Sequence, residues 1–437
     1  MSTSELVSLV CCDLGAIVRG RSIDAAELSA HARAGVSWVP ANHALTPLGH
    51  VADPNPFGST GDLRLVGDPE THARVEAGEG GGALELMLCD IVETDGQPWE
   101  CCPRHFLRKA LRELETELGG RLAASFEHEF QLCSDAPAAL PFSLEAQRLG
   151  EPFAVHVMEA LTQAGAEPER IFPEYAPHQF EIPIAPAAGM RGADRAVVFR
   201  EVVREVARRE GTRATFTPLL SSEDAGNGVH IHLNVLDADG NTLLYDASRP
   251  GCLSELGGSF AAGILRHARA LSALTAPSPV SSARLRPHSW SAGAVCLAAR
   301  NREALLRIPP LVELAEAEPG AQMRLEYRGA DASANPYLAL GALVRAGLDG
   351  VREELTTPEL LDRDPAQLDA GDAERFGVGT LPASLAEALQ ALDEDPTVRG
   401  WMTPLMYEAY LSVKRAELEG TKGLELDELC RRYAAIY

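Results

Sequence analysis

The chain has 437 residues, enough for a large core and two domains. Hydrophobic residues at 46% and charged residues at 23% are the proportions of an ordinary globular protein. With 63 acidic against 39 basic residues the net charge is −24, which excludes the basic footprint that nucleic acid or an anionic membrane requires.

Lysine occurs only at Lys109, Lys414 and Lys422, so arginine carries nearly all positive charge and only clustered arginines are informative. The nine cysteines include two adjacent doublets and no CxxC pair, a poor framework for disulfides or zinc. The apolar stretch 6–10 has no basic segment before it and no cleavage site after it, and no apolar run reaches membrane-spanning length. A cytoplasmic location is expected.

In chain order, residues 7–12 read as a strand, 13–15 as a turn, 17–20 as the return, 25–34 as a short helix and 36–39 as another strand. The glycine run 78–82 invites a phosphate-loop reading. Alternating Leu84, Leu86 and Leu88 follow it rather than a helix, so it reads as a hairpin loop, and no GxxxxGK motif occurs. Pro103 opens a helix with Leu107, Leu111, Leu114 and Leu118 on one face, closed by Gly119-Gly120. The domain boundary is placed at 102, giving domains 1–102 and 103–437. Helices are expected near 151–165, 191–210, 257–275 and 333–349, then at 383–394, 403–419 and 424–435. The Pro-, Asp- and Gly-rich stretch 356–382 reads as an insertion.

Chemistry concentrates in a few strands. In Ser125-Phe-Glu-His-Glu-Phe130, alternation puts Glu127 and Glu129 on one face. Like charges side by side are costly unless a cation or a proton separates them. Val229-His-Ile-His-Leu233 alternates imidazole with apolar residues, and Arg324-Leu-Glu-Tyr-Arg328 alternates charge likewise. Glu174 and Glu181 are seven apart, on opposite faces of a continuous strand, but Pro177 permits a bend that unites them. Many carboxylates with one or two imidazoles and no thiolates suit Mg²⁺ or Mn²⁺. Arg284 with Arg286, Arg302 with Arg307, and Arg324 with Arg328 add guanidinium groups; metal plus guanidinium is what phosphoryl transfer needs.

These motifs resemble the glutamine synthetase superfamily. Glu127-His-Glu129 is similar to its ExE strand, and Glu174-Tyr-Ala-Pro-His-Gln-Phe-Glu181 to its ExxPGQxE segment. Gly226-Asn-Gly-Val-His230-Ile-His232 resembles NGxGxHxH. Asn301-Arg302 through Arg307-Ile-Pro resembles NRxxxxRIP, and Arg324-Leu-Glu326-Tyr-Arg328 with Asn335-Pro-Tyr resembles RxExR and NPY. The resemblance implies an α+β fold: a small N-terminal β-grasp domain, then a catalytic domain with an antiparallel β half-barrel surrounded by helices. It implies one metal ion on Glu129, Glu174 and Glu181, and a second on Glu127, His230 and Glu326. It implies ATP contacts from His232, Arg307 and Arg324, Arg302 on the transferred phosphoryl group, and L-glutamate held by Gly226, Arg284 and Arg328. Rings of subunits, usually dodecamers, are further implied. The reaction implied is ATP-driven amide formation through γ-glutamyl phosphate.

Two departures bear on the nitrogen donor. Ammonia-using members carry a glutamate in the flap where this chain has Trp290, and an N-terminal aspartate in a segment that here reads Ala41-Asn-His-Ala44. Both losses remove negative charge meant for a small cation, and Trp290 offers an apolar or cation–π wall to a larger amine. Trp290 and the Glu-Tyr-Ala-Pro segment resemble the γ-glutamylpolyamine and γ-glutamylamide synthetases. An alkylamine, with a pKa of roughly 10, needs a base before it attacks, and Asp13, His43 and Asp53 are the candidates the sequence offers. His178 stands where the family has glycine, and Ala283 where it has lysine. The expectation is therefore a glutamate–amine ligase, with an ammonia-dependent glutamine synthetase and a non-catalytic relative as alternatives.

Overall fold

The computed structural model describes residues 5–78, 82–288, 291–314 and 318–437. It is an α+β protein: a small sheet at the N-terminus, then a large sheet wrapped by helices.

The N-terminal sheet has the order β2-β1-β6-β4-β3, with β5 paired to β6. Its strands are β1 (Leu6–Cys12), β2 (Val18–Asp24), β3 (Val36–Trp38), β4 (Leu63–Gly67), β5 (Ala73–Val75) and β6 (Leu84–Glu93). β1 and β2 form a hairpin whose turn is held by Asp13, whose Oδ1 accepts the Gly15 and Ile17 N–H groups at 2.9 Å each. β1 then pairs in parallel with β6, uniting the two ends of the domain. β5 and β6 pair antiparallel on either side of the glycine run, as the hairpin reading expects. The return strand is longer than the sequence suggests, because its polar residues 19–22 face solvent and blur the alternation.

Helix Pro103–Leu118 opens on its proline and ends at Gly119 in the left-handed region (φ 62°). It buries Phe106, Leu107, Ala110 and Leu114 and packs on helix Pro336–Arg352. Arg345 of that second helix makes a bidentate pair with Glu113 (3.0 and 2.8 Å). The helix expected at 151–165 begins at Leu144, since the Ser143 hydroxyl caps it (3.1 Å from Ala146 N) and Pro152 is carried inside. The pattern 257–275 is two helices, Glu255–Arg266 and Ala268–Thr275, meeting at His267. That imidazole lies between Asp349 (2.9 Å) and Asp395 (2.6 Å).

The large sheet contains β7 (Arg121–Leu132), β8 (Phe172–Pro173), β9 (Gln179–Pro183), β10 (Ala187–Ala188), β11 (Ala214–Thr215), β12 (Val229–Leu236), β13 (Ala294–Ala299), β14 (Ala304–Ile308) and β15 (Leu325–Ala330). Its order is β13-β14-β15-β12-β7-β9-β8, with β10 and β11 also on β7. Every pairing is antiparallel except β13 with β14. The stretch 356–382 does more than protrude: Leu361 N–H donates to Leu297 O, and Gly379 bridges Val295, so it covers the β13 edge.

Two contacts stand out among those that tie the domains together. Arg104 is buried, and its guanidinium reaches Asp68 (2.9 Å) and Asp90 (3.0 Å) of the N-terminal domain and Asp194 (3.1 Å) of helix Arg191–Arg209. The buried Tyr437 hydroxyl at the far end of the chain donates to Gly15 O at 2.6 Å.

Candidate active site

Five adjacent strands carry one row of charged side chains. On β7, Glu127 lies opposite His230 of β12, and Glu129 lies opposite Glu181 of β9. β15 extends the row with Glu326 opposite His232, and β14 ends it with Arg307 opposite Glu326. The period of two sends Phe126, His128 and Phe130 to the other face, into the core. His128 belongs to that apolar layer: it stacks on Phe199 at 4.6 Å, and burial pushes its pKa down to about 3.

Glu127 is the hub of the row. Its Oε2 lies 3.1 Å from His230 Nδ1 and 3.4 Å from His232 Nε2. Glu326, fully buried, takes Arg307 Nε (2.7 Å) on one oxygen and the Arg328 guanidinium on the other, with His230 Nδ1 3.8 Å away. Burial would raise both carboxyls, but His230 and His232 hold Glu127 well below the usual range, and His230 with Arg328 holds Glu326 at about 2.

The β9 side is the reverse. Burial raises Glu174 to about 7, helped by the charge of Glu129, and lifts Glu181 well above its ordinary value, helped by Glu127, Glu129 and Glu174. Carboxylates crowded this way are short of positive charge, which a divalent cation would supply. Among the described residues, two sets place one ligand atom per residue within 4.8 Å of each other, Glu127–Glu181–His230 and Glu127–His232–Glu326. Both contain Glu127, so the row fits metal ions held side by side. His232, expected to contact ATP, also has a ring nitrogen within 4.8 Å of the Glu127 and Glu326 oxygens. The bend at Pro177 does bring Glu174 and Glu181 together, with Glu174 N–H donating to Gln179 O across the turn (2.9 Å).

Beside Glu129 lies a cradle made by Gly226, Gly228, Arg284 and Arg328. Gly228 N–H donates to Glu129 Oε2 at 2.7 Å. A Cβ on Gly226 would sit 2.4 Å from Arg284 Cγ and 2.5 Å from Pro218 O, so only glycine lets the arginine approach. Arg284 Nη2 donates to Ala330 O (2.8 Å), while its Nε, also buried, has no partner among the described residues. Sequence reasoning missed the residues that shape this loop. Asn227 donates to Gln131 Oε1 (3.2 Å) and Thr217 O (2.9 Å), and Gln179 donates to Gly226 O and Asn227 Oδ1 (2.9 Å each). Asn227 and Gln179 stand inside sequence motifs, but neutral amides give no charge signal, and their burial exposes the role.

One cleft meets the row, and another, around Arg302, contains none of the row's residues. The first, of about 800 Å³, is lined by Glu127, His232, Arg324 and Tyr245, and Arg324 Nε donates to His232 Nδ1 at 3.2 Å. The other, about 950 Å³, is lined by Arg300, Arg302 and Arg363; Arg302 is exposed at its mouth, and its carbonyl accepts from Arg328 Nε at 3.0 Å. Trp290 lies outside the described residues. Of the candidate bases, Asp13 is fully buried in its turn with Arg19 Nε at 2.5 Å. His43 is buried edge-on against Trp99 at 5.0 Å, and Asp53 is exposed in a loop.

Comparison with known proteins agrees with this geometry. Residues 1–99 match the glutamine synthetase N-terminal domain and residues 100–429 the glutamine synthetase catalytic domain. The chain belongs to the glutamine synthetase family. It is 32% identical to the γ-glutamylpolyamine synthetase GlnA3 of Streptomyces coelicolor, over 98% of this chain and 92% of that one. It is 32% identical to the glutamine synthetase of Thermus thermophilus, over 82% of this chain and 80% of that one. A solved structure described as a novel glutamine synthase homolog superposes with a TM-score of 0.92 at 44% identity, covering 100% of this chain and 99% of that one. An ADP complex of GmaS superposes at 0.81 with 25% identity, covering 97% and 95%. The family's ligases use ATP, divalent metal ions, glutamate, and an amine or ammonia. Among the described residues no helix is long and apolar enough to cross a membrane.

Proposed function

We propose that this ligase joins the γ-carboxylate of L-glutamate to an amine. The observation that carries the reading is the row Glu181–Glu129–Glu127–His230–Glu326–Arg307 across five strands, whose carboxylates are partly neutralised at one end and crowded at the other. Glu129, Glu174 and Glu181 would hold one Mg²⁺ or Mn²⁺, and Glu127, His230 and Glu326 another. Such ions supply charge neutralisation for phosphoryl transfer.

The chain's own groups do the rest. Arg284, Arg328 and the Gly226 loop bind glutamate beside Glu129. Arg324 and His232 line the cleft taken for ATP, Arg307 would contact ATP from its place on Glu326, and Arg302 steadies the moving phosphoryl group. A glutamate carboxylate oxygen attacks the γ-phosphorus and ADP leaves. The amine nitrogen then attacks the acyl carbon, phosphate leaves, and one proton is released. The acyl phosphate is needed because a carboxylate resists amines directly.

The likeness to a γ-glutamylpolyamine synthetase over 98% of the chain supports an amine acceptor. A second reading, ammonia-dependent glutamine synthetase, is supported by the Thermus relative over 82%. Phosphate release from ATP and glutamate, measured in parallel with ammonium, alkylamines, ethanolamine and polyamines, decides between them. Ammonium as the best acceptor overturns the amine reading.

A further inference from the structure

A third cavity, of about 310 Å³, lies next to Glu174 and plays no part in holding glutamate or ATP as assigned above. Its walls are apolar, with Leu132, Ala146, Leu149, Phe153 and Phe180 among them. In a chain so rich in arginine it is lined by no arginine or lysine, and by two carboxylates, Glu174 and Glu210. Glu174 lines the cavity and also feels the charges of Glu129 and Arg302, so it is near both. Glu210 has His156 Nδ1 on Oε1 at 2.6 Å, and its Oε2 has no partner among the described residues.

The cavity is built, not incidental. His178, the residue standing where the family has glycine, adopts φ +52° and lies with Nε2 2.8 Å from Ala136 O. A left-handed backbone is unfavourable for any residue with a Cβ, so the side-chain tether offsets a strain that glycine would not carry. The tether fixes the 134–141 segment as one wall. Next in the chain to the lining residues Pro141 and Glu174, Phe142 (φ +57°) and Tyr175 meet edge to face at 4.8 Å, both half-exposed. Phe142, left-handed at its backbone and packed on Tyr175, the residue after Glu174, makes an aromatic pair that suits a cation with an apolar tail.

We propose that this cavity receives the tail of the acceptor amine, and that the acceptor is an α,ω-diamine or polyamine whose distal ammonium meets Glu210. The proposal rests on the glutamate–amine ligase reading and names the acceptor subsite within it. His178 is a positioning residue: it acts through the 134–141 wall.

The test compares KM for putrescine, butylamine and methylamine in the unaltered chain and three variants. Glu210→Gln raises KM for putrescine about tenfold and leaves butylamine within about twofold. Ala146→Trp, which fills the cavity, raises KM for both long amines. His178→Gly raises KM for putrescine with kcat for methylamine unchanged. Methylamine turnover reports that each variant is folded, and a variant that fails this check is replaced by the milder Ala146→Leu or Glu210→Ala. Amine turnover in which no variant separates long from short amines overturns the subsite while leaving the ligase reading intact. Absence of turnover with any amine in the unaltered chain overturns both.

Discussion

Two buried charge clusters in this protein behave in opposite ways. At the domain junction, Arg104 is hydrogen-bonded to Asp68, Asp90 and Asp194, Arg108 adds a second guanidinium to Asp90 (2.9 Å), and the Tyr337 hydroxyl donates to Asp194 at 2.7 Å. Burial favours the neutral acid at Asp68, yet Arg104 holds it below its ordinary range. On the large sheet, Glu174 and Glu181 are pushed up by burial and by their neighbours' charge. One cluster is complete as folded; the other lacks cations. That contrast separates a structural ion network from a site better than burial or charge count does.

The largest expected effects break the contrast at the site. Glu129→Ala removes a proposed metal ligand in the row, and turnover should fall at least about 10³-fold. Retained activity would mean the metal assignment is wrong. Glu181→Gln should likewise abolish turnover, but it replaces a crowded carboxylate with a neutral isostere. Thermal unfolding of the metal-free protein should therefore rise, while stabilisation by added Mg²⁺ shrinks. A row that behaved like the junction would show the opposite, a lower Tm in Glu181→Gln.

At the junction, Arg104→Met leaves Asp194 buried without its guanidinium. The expected cost is about 3–5 kcal/mol of unfolding free energy in denaturant titration, with no change in the ability of Mg²⁺ to stabilise what remains folded. A loss under about 1 kcal/mol would show that water compensates Asp194 and that the junction is not closed.

How much of this was readable beforehand follows the same physics. The charged row was legible because each strand alternates, and Glu127, Glu129, His230, His232 and Glu326 are spaced by the period of a sheet. Their order across the sheet was not, because register depends on long-range pairing that no local pattern encodes. His128 shows the limit well: the sequence offers three imidazoles in two similar strands, and only the opposite phase of His128 removes it from the site. The junction was invisible, since Asp68, Asp90, Arg104 and Asp194 come from four separate elements. The helix expected near 151–165 starts earlier, at Leu144, because the Ser143 hydroxyl caps it.

A smaller change tests whether the junction depends on complete pairing. Tyr337→Phe deletes one hydroxyl donor to Asp194 and leaves the ring packing. Hydrogen bonds to charged groups contribute about 1.5–3 kcal/mol, so a loss in that range is expected in the same titration. A neutral result would show that the two Arg104 hydrogen bonds to Asp194 suffice (3.1 Å each).

The subtlest expectation concerns pH, where the two clusters should pull in opposite directions. A carboxyl held low in the folded state stabilises above its unfolded pKa and loses that contribution as pH falls through the folded value. Asp68 thus belongs to the acid limb, below about pH 4. Glu127 and Glu326, also held low, are ionised in both states from about pH 5 upward and add no slope there. Glu174 has the reverse sign: with a folded value of about 7, it keeps its proton in the folded chain where the unfolded chain has lost it. Metal-free stability should therefore decline as pH rises from about 4.5 towards 7, with Glu181 adding in the same direction. Divalent metal must displace those protons, so Mg²⁺ should raise Tm more at pH 8 than at pH 6. In Glu174→Gln the metal-free decline should flatten. An unchanged slope would place the excess charge elsewhere than on the β9 side of the row.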